Sequence, residues 1–300
     1  LNLLQHRPLM RVSVIIPSLH SPLIAEVIAA LQAQTQPPHE IIIVGQDRYG
    51  LIKPDKNVTF IETPRPISAA AARNLGAKSA QGELLLFIDS DCIAARDLIE
   101  QTLKHHQQGV MVACGGVAFE TKPYWNLCDN LVALSPFLAF QPAGNLPYLP
   151  SLNFSIRREL FWEVGGFDEH FPGAAGEDTD LSFKLRKRGY KLAFLPKAQV
   201  LHRHNRIGMN AVWHHLARFG STWGELQHIH SDLTGASLRI QALKTTGAWA
   251  VALAVALSIV DTLLLYIQQP KLIRYWYTIP GIVWGKLAWH YGLILYINHR

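Results

Sequence analysis

The chain is poor in cysteine, with only Cys92, Cys114 and Cys128 among 300 residues. Their number is odd, and none stand at CxxC or other metal-binding spacing. That excludes a disulfide framework and suits a reducing compartment. Leu1 to Arg11 has no apolar core of the kind a secretory leader needs. There is no internal repeat and no low-complexity linker. A basic stripe is also missing: the formal net charge is +6 with a pI near 9.2, but Lys and Arg are scattered. The densest group, Lys184 to Arg188, reads as the solvated face of a helix, so no nucleic-acid partner is expected.

Beyond residue 245 it is charge that becomes scarce. Mean hydropathy is +0.10, unusual for a purely soluble chain, and the excess is concentrated there. Gly247 to Ile267 is a run of 21 residues with one charge, Asp261, long enough to cross a bilayer core. Tyr275 to Ile297 is a second apolar stretch, broken by Pro280, Lys286 and His290 and rich in the Trp and Tyr that suit a membrane interface. The two stretches fit a helical hairpin with both ends in the cytosol, or one spanning helix plus an interfacial one. Asp261 and Lys286 are costly in lipid, and a buried pair of helices is the alternative. The expectation is a membrane-associated protein, in contact with membrane lipid, whose catalytic body lies on the cytoplasmic side.

The first half alternates short apolar runs with longer amphipathic ones. Val12 to Ile16 is a β-branched run stopped by Pro17, and Pro22 to Gln34 has helical spacing. Ile41 to Val44 and Val58 to Ile61 are further strands. Ser68 caps a helix that runs to about Ala80 and is broken by Gly82. Leu84 to Ile88 is apolar throughout, as in a strand buried on both faces. This order implies an α/β protein with a doubly wound, mostly parallel sheet. Later come a strand over Val110 to Phe119, an ambiguous apolar segment over Tyr124 to Phe140, a helix over Glu177 to Arg188, and a short strand, Leu192 to Leu195, before Pro196.

Two motifs carry chemistry. Asp89-Ser90-Asp91 follows the buried strand, where ligands of open α/β sheets sit. Two carboxylates there can hold a hard divalent cation against a diphosphate; in isolation the tripeptide fits a solvated turn equally well. Gly176-Glu177-Asp178-Thr179-Asp180-Leu181 opens a helix, where acids complement the dipole and a carboxylate can also serve as a general base.

Val14-Ile15-Ile16-Pro17, Ala72-Arg73-Asn74-Leu75-Gly76 and Phe87-Ile88-Asp89-Ser90-Asp91 resemble successive donor-site blocks of family 2 glycosyltransferases. Asn153 to Arg158, Val164-Gly165-Gly166-Phe167-Asp168-Glu169, Gly176 to Leu181, Gly189-Tyr190-Lys191-Leu192 and Pro196 to His202 continue the pattern in order, over about residues 11–205. The resemblance implies the GT-A fold, with a Rossmann-like donor half and an acceptor half. It also implies inverting transfer of a sugar from a nucleotide-diphosphate donor, most often a UDP-sugar, to a glycan or lipid-linked hydroxyl acceptor, with Mn²⁺ or Mg²⁺. By position, Pro17 borders the nucleobase and Arg73 faces the nucleotide. Asp89 lies near ribose and metal, Asp91 binds the metal, and His202 stands where some relatives place a metal or diphosphate ligand. Asp178 is the expected base, with Glu177 orienting the acceptor, and Asn153, Gly165, Gly166 and Phe167 shape the sugar and acceptor pocket. The family usually has acids directly after the second strand; here that strand ends Val44-Gly45-Gln46-Asp47, and Asp47 or Gln46, on a shifted loop, is the expected substitute.

The expected organisation is a catalytic domain over 1–205, an amphipathic helical connection over 206–245 and apolar helices over 246–300. His214, His215, His228 and His230, with Trp213 and Trp223, fall in the connection; they fit a helix framing the acceptor entrance better than a metal cluster. A nucleotidyltransferase would also place carboxylates at strand ends, but would carry a Gly-rich basic loop after the first strand, which Pro17 to Pro22 does not supply. An inactive sugar- or lipid-binding scaffold of the same fold is the other alternative.

Overall fold

In the computed structural model the described residues are 10–171, 173–235, 238–244 and 248–299. Leu1 to Leu9 of the N-terminal segment and Gly247 of the apolar run lie outside them.

The β-branched and aliphatic runs form strands, as their buried faces require. In chain order the first elements are β1 (Val12–Leu19), α1 (Ile24–Gln32), β2 (Glu40–Gln46), β3 (Val58–Glu62), α2 (Ala69–Ser79) and β4 (Leu84–Ile88). Strands β3, β2, β1 and β4 lie side by side in that order, all parallel. Every residue of β4 is buried. Helix α1 turns Ile24, Val27, Ile28 and Leu31 into the core. Helix α2 begins where the Ser68 side chain accepts the Ala71 N–H at 3.2 Å. It lies so close to the sheet that a Cβ on Gly76 would meet Ile15 at 2.5 Å.

The second half changes direction. It comprises β5 (Cys92–Ala94), α3 (Leu98–Gln107), β6 (Val112–Phe119), α4 (Tyr124–Leu134), β7 (Gly144–Asn145), β8 (Asn153–Arg157), α5 (Arg158–Glu163), α6 (Glu177–Lys187) and β9 (Ala193–His202). The whole sheet runs β3-β2-β1-β4-β8-β6-β9-β5, with β7 on β9. Beyond β4 only the β6–β9 pair is parallel, so the sheet is mixed. The segment Tyr124 to Phe140 resolves into α4 followed by a 3₁₀ turn over Ser135–Phe137.

Strand β9 does not stop before Pro196, as its sequence suggested. It bulges there: Gly115 pairs with Leu195 but Gly116 pairs with Gln199. A Cβ on Gly115 would sit 2.0 Å from the Ala198 carbonyl, so the Gly115-Gly116 pair makes room for the bulge. The strand resumes and carries its end to His202.

The C-terminal part contains α7 (Met209–Ile229), α8 (Ser231–Thr234), α9 (Leu238–Leu243), α10 (Ala248–Gln268), a 3₁₀ segment over Pro270–Thr278, and α11 (Ile279–Asn298). Helices α7 and α11 cross at backbone distance: a Cβ on Gly220 would lie 1.8 Å from the Trp289 carbonyl, and one on Gly292 would lie 1.8 Å from that of Ala217. Helix α11 also meets α4, where Gly281 faces Cys128 and Gly285 faces Val132. The second apolar stretch is therefore largely occupied by the protein itself. Helix α10 is different. Among the described residues it is the one helix long and apolar enough to cross a membrane, over Trp249–Gln268.

Candidate active site

The ends of β1, β2 and β4 and the start of α2 open onto one cavity, bordered by Pro17, Gly45, Thr63 and Ser68. A second cavity lies against α4, α6 and α7, bordered by Tyr148, Ser151, Asp178, Phe219 and Trp223. Arg73, Asp89, Asp91 and Arg206 border both cavities and form the wall between them.

Arg73 is the centre of that wall. Its side chain is 2% exposed, with Nη2 donating to Asp89 Oδ1 at 2.7 Å and Nη1 to Glu177 Oε1 at 2.8 Å. Burial works against the guanidinium, but Asp89, Glu177 and Asp178 more than offset it and hold its pKa above the ordinary value. The ring of Phe167 lies 5.5 Å from the guanidinium carbon. Behind it, Phe87, Phe161 and Phe167 pack edge-on or tilted. The Asn74 side chain clamps the turn leading into Phe167, accepting from Phe167 N at 3.0 Å and donating to Phe167 O at 2.8 Å.

Glu177 and Asp178 are neighbours with different surroundings. Gly176 enters α6 at φ 94°, and its missing Cβ leaves room for Thr222, which would otherwise lie 2.1 Å away. The Glu177 carboxyl is 2% exposed; burial and the Asp178 charge raise it to about 7 against the opposing pull of Arg73. Asp178 is half-buried. Its Oδ2 accepts from Ser151 N at 3.0 Å and its Oδ1 from Thr179 N at 2.7 Å. Burial raises its pKa although those N–H groups pull downward.

Asp91 faces His202 because β5 and β9 pair Cys92 with His202. His202 Nε2 lies 3.7 Å from Asp91 Oδ2. The other ring nitrogen, Nδ1, is 2.7 Å from Asn130 Oδ1. Asn130 uses its amide nitrogen on Asn126, so its oxygen accepts from His202 and the proton sits on Nδ1. Burial lowers the His202 pKa against the pull of Asp91. The imidazole is neutral, with its Nε2 lone pair turned toward a carboxylate. That is a tautomer fixed for ligation. Ligand atoms of Asp91, Cys92 and His202 lie within 4.8 Å of one another. Burial and the Asp91 charge keep Cys92 a thiol, so carboxylate and imidazole remain the useful donors, a set that suits Mn²⁺ or Mg²⁺ better than a thiolate-seeking ion. Asp89 gives Oδ1 to Arg73, which leaves Asp91 the more direct ligand.

Asp129 was not anticipated from the sequence. Its carboxylate is 1% exposed and receives Arg206 Nε at 2.8 Å and His215 Nδ1 at 2.7 Å, with His204 Nε2 at 3.2 Å. Burial opposes its ionisation, but these partners hold it well below the usual carboxylate range. An acid within the apolar segment Tyr124 to Phe140 was the available signal, since a buried acid needs partners.

Several expected residues lie elsewhere. Asp47 borders neither cavity; its carboxylate accepts the N–H groups of Tyr49 and Ile52 in its own loop. Asn153 is buried in β8 and donates to Ala198 O at 2.9 Å, bracing the β9 bulge. The Phe167 ring lies against the Arg73 guanidinium, and Gly165, Gly166 and Phe167 border neither cavity. The four connecting histidines do not converge: His214 and His228 are exposed, His215 meets Asp129, and His230 meets Asp180 at 2.7 Å. Helix α7 instead supplies a cavity wall through His215, Phe219, Thr222 and Trp223.

A parallel half, a mixed half and acids at the junction define a GT-A-type protein. Two solved structures share the fold. A mannosyltransferase from Pyrobaculum calidifontis, in complex with GDP-Man and Mn²⁺, has a TM-score of 0.58 at 18% identity, covering 92% of this chain and 86% of that one. GalNAc-T7 with UDP, GalNAc and Mn²⁺ has a TM-score of 0.54 at 16% identity, covering 79% and 56%. The Glycosyl transferase family 2 profile matches residues 13–165, and the chain belongs to that family. Its relatives include the O-antigen biosynthesis protein RfbC of Myxococcus xanthus, 26% identical over 64% of this chain and 17% of that protein. The pre-mycofactocin glycosyltransferase of Mycobacterium tuberculosis is 28% identical over 59% of this chain and 39% of that protein. The chain thus spans less than half the length of these curated relatives.

Proposed function

We propose that the protein transfers a sugar from a nucleotide-diphosphate sugar, a UDP-sugar in the first instance, to a hydroxyl acceptor with inversion at the anomeric carbon. The observation that carries this reading is a half-buried carboxylate, Asp178, in a cavity that meets the strand-end cavity at Arg73, Asp89 and Asp91. The donor nucleotide lies beside Pro17, Gly45 and Ser68. Asp91 and His202, with Asp89 beside them, would hold Mn²⁺ or Mg²⁺, which when bound supplies counter-charge for the diphosphate. The acceptor hydroxyl enters from the α7 side, and Asp178 takes its proton as the oxygen attacks opposite the leaving diphosphate. Ser151 N and Thr179 N hold the Asp178 carboxylate in place. Glu177 keeps Arg73 in register, and Arg73 fixes Asp89 at the cavity wall.

The nucleotide and Mn²⁺ bound in the two structural neighbours support this reading. Helix α10 supports association with a membrane. The test is nucleotide release from a panel of UDP- and GDP-sugars with Mn²⁺, with Mg²⁺ and with chelator. Metal-dependent release from at least one donor is expected. Silence across the panel with both metals would overturn the proposal.

A further inference from the structure

The acceptor-side cavity is not walled by the GT-A core alone. Its outer boundary includes Trp289 of α11, together with Phe219, Trp223 and Leu226 of α7. Trp289 also packs against an apolar cluster built by Leu243 of α9, Ala254 of α10 and Leu293 of α11, with Leu253 and Leu257 of α10 beside it. One side chain therefore joins the cavity holding Asp178 to the helix whose outer surface is apolar.

That outer surface is extensive. Trp249, Val251, Ile259, Leu263 and Ile267 of α10 are exposed, Trp249 to 78% and Ile267 to 70%. The apolar surface continues onto Ile273 and Trp276 of the next segment, each more than 60% exposed. Helix α10 has 21 residues, which at ~1.5 Å per residue is about the thickness of a bilayer core. Soluble proteins do not leave a helix face of this kind uncovered. Its polar residues turn the other way: Ser258 Oγ meets His290 Nδ1 at 3.1 Å, and Asp261 Oδ2 lies 3.5 Å from His290 Nε2. His290 belongs to α11 and is fully buried. This polar clasp fixes α10 against α11, so the apolar surface and the cavity boundary keep one relative position.

From this juxtaposition we infer that the acceptor is an amphiphile, a hydroxyl-bearing head on a long apolar chain held in the bilayer beside α10. The inference rests on the glycosyl-transfer reading above. The head reaches Asp178 past Trp289, Phe219 and Trp223, and the chain stays in lipid. A water-soluble glycan would gain nothing from the placement of α10. A chain long enough to hold the acceptor in the bilayer concentrates its head beside α10, which makes the preference measurable.

The test uses the full chain on vesicles of phosphatidylethanolamine and phosphatidylglycerol, with the donor that passes the nucleotide-release screen. A panel of saccharides is offered in three forms: free, as dodecyl glycosides and as polyprenyl-diphosphate-linked sugars. The rate read is nucleotide release above donor hydrolysis. Sugars carrying a chain are expected to raise kcat/KM at least tenfold over the same free sugar; an advantage confined to the polyprenyl form identifies a phosphate-linked carrier, and one shared by the dodecyl form identifies the chain alone. Equal rates for free and chain-bearing sugars overturn the inference, as does a panel in which no chain-bearing member stimulates release. Failure of every donor in the nucleotide-release screen instead removes the glycosyl-transfer reading. As a second measurement, the I259N/L263N variant alters exposed α10 positions only. It should keep donor hydrolysis and thermal midpoint while losing vesicle flotation and most of the chain advantage. Retention of both by a folded variant also overturns the inference.

Discussion

The two cavities are unlike in their chemistry. The strand-end cavity is bordered by backbone and small side chains of β1, β2 and α2, and its ionisable groups are those it shares at the wall, Arg73, Asp89, Asp91 and Arg206. The other adds Asp129, Glu177, Asp178, His202 and His215. The carboxyls with raised pKa, Glu177 and Asp178, belong to this second side. On the proposed reading, shape and backbone groups select on the donor side and proton transfer is confined to the acceptor side. Changes on one side should therefore leave the other side's measurement nearly untouched.

The largest test of that separation is Asp178→Asn. Loss of a positioned base costs ~10²- to 10⁴-fold, so transfer should fall by about that factor while UDP affinity, measured by calorimetry, changes less than about twofold. A parallel fall in UDP affinity would join what the two cavities keep apart. Next comes Asn130→Ala, which removes the group fixing the His202 tautomer. Outer partners of metal ligands are worth ~10- to 100-fold in metal affinity. Mn²⁺ binding should weaken within that range, with uridine binding in the absence of metal unchanged.

A smaller effect follows from Glu177. Its carboxyl is raised from 4.5 to about 7 in the folded chain, so between those values the folded state binds more protons than the unfolded one. Stability must then fall as pH rises through that window, opposite to the behaviour of a salt-bridged carboxylate with a depressed pKa. One pKa unit corresponds to about 1.4 kcal/mol. Urea unfolding at pH 5 and pH 8 should show a loss of at least about 1 kcal/mol attributable to this residue, and Glu177→Gln should flatten the dependence. A variant with the parent's pH slope would rule out the buried Glu177 carboxyl beside Asp178 as its cause.

The same division explains what the sequence disclosed. Strands β2 and β4 carry continuous buried apolar runs, Ile41 to Val44 and Leu84 to Ile88, so composition alone revealed them, and Asp89 and Asp91 followed from their place after β4. Strand β8 reads Asn-Phe-Ser-Ile-Arg, with polar positions that hide a buried strand. Ser155 is satisfied by His106 at 2.8 Å and Asn153 by the β9 bulge, and both partners are distant in sequence. Strand β5 has three residues, too few to show a pattern. Asp129, Arg206 and His215 converge from α4, the loop after β9 and α7, and no local spacing encodes that meeting. Pro196 misled because two glycines on a neighbouring strand absorb the bulge. Helix α11 carries a long apolar stretch in sequence, and its glycine contacts with α7 and α4 reveal that it is packed.

The smallest expected effect is at Asp47, where the sequence invites a nucleotide-reading role and the structure provides a turn. Its two carboxylate oxygens accept from Tyr49 N at 3.2 Å and Ile52 N at 2.7 Å. Gly45, two residues earlier, is the residue that borders the donor cavity, at φ 137° and with no room for a Cβ beside the Ser18 carbonyl. Asp47→Ala should cost about 1 kcal/mol in stability, the scale of a lost charge-assisted turn bond, while UDP affinity moves by less than about twofold. Gly45→Ala, whose Cβ would meet Ser18 O at 2.0 Å, should weaken UDP binding more than Asp47→Ala does. If calorimetry reverses that order, the nucleotide is read by the Asp47 loop after a rearrangement on binding. The donor side would then owe its selectivity to a charge, and the contrast between the cavities would narrow to proton transfer alone.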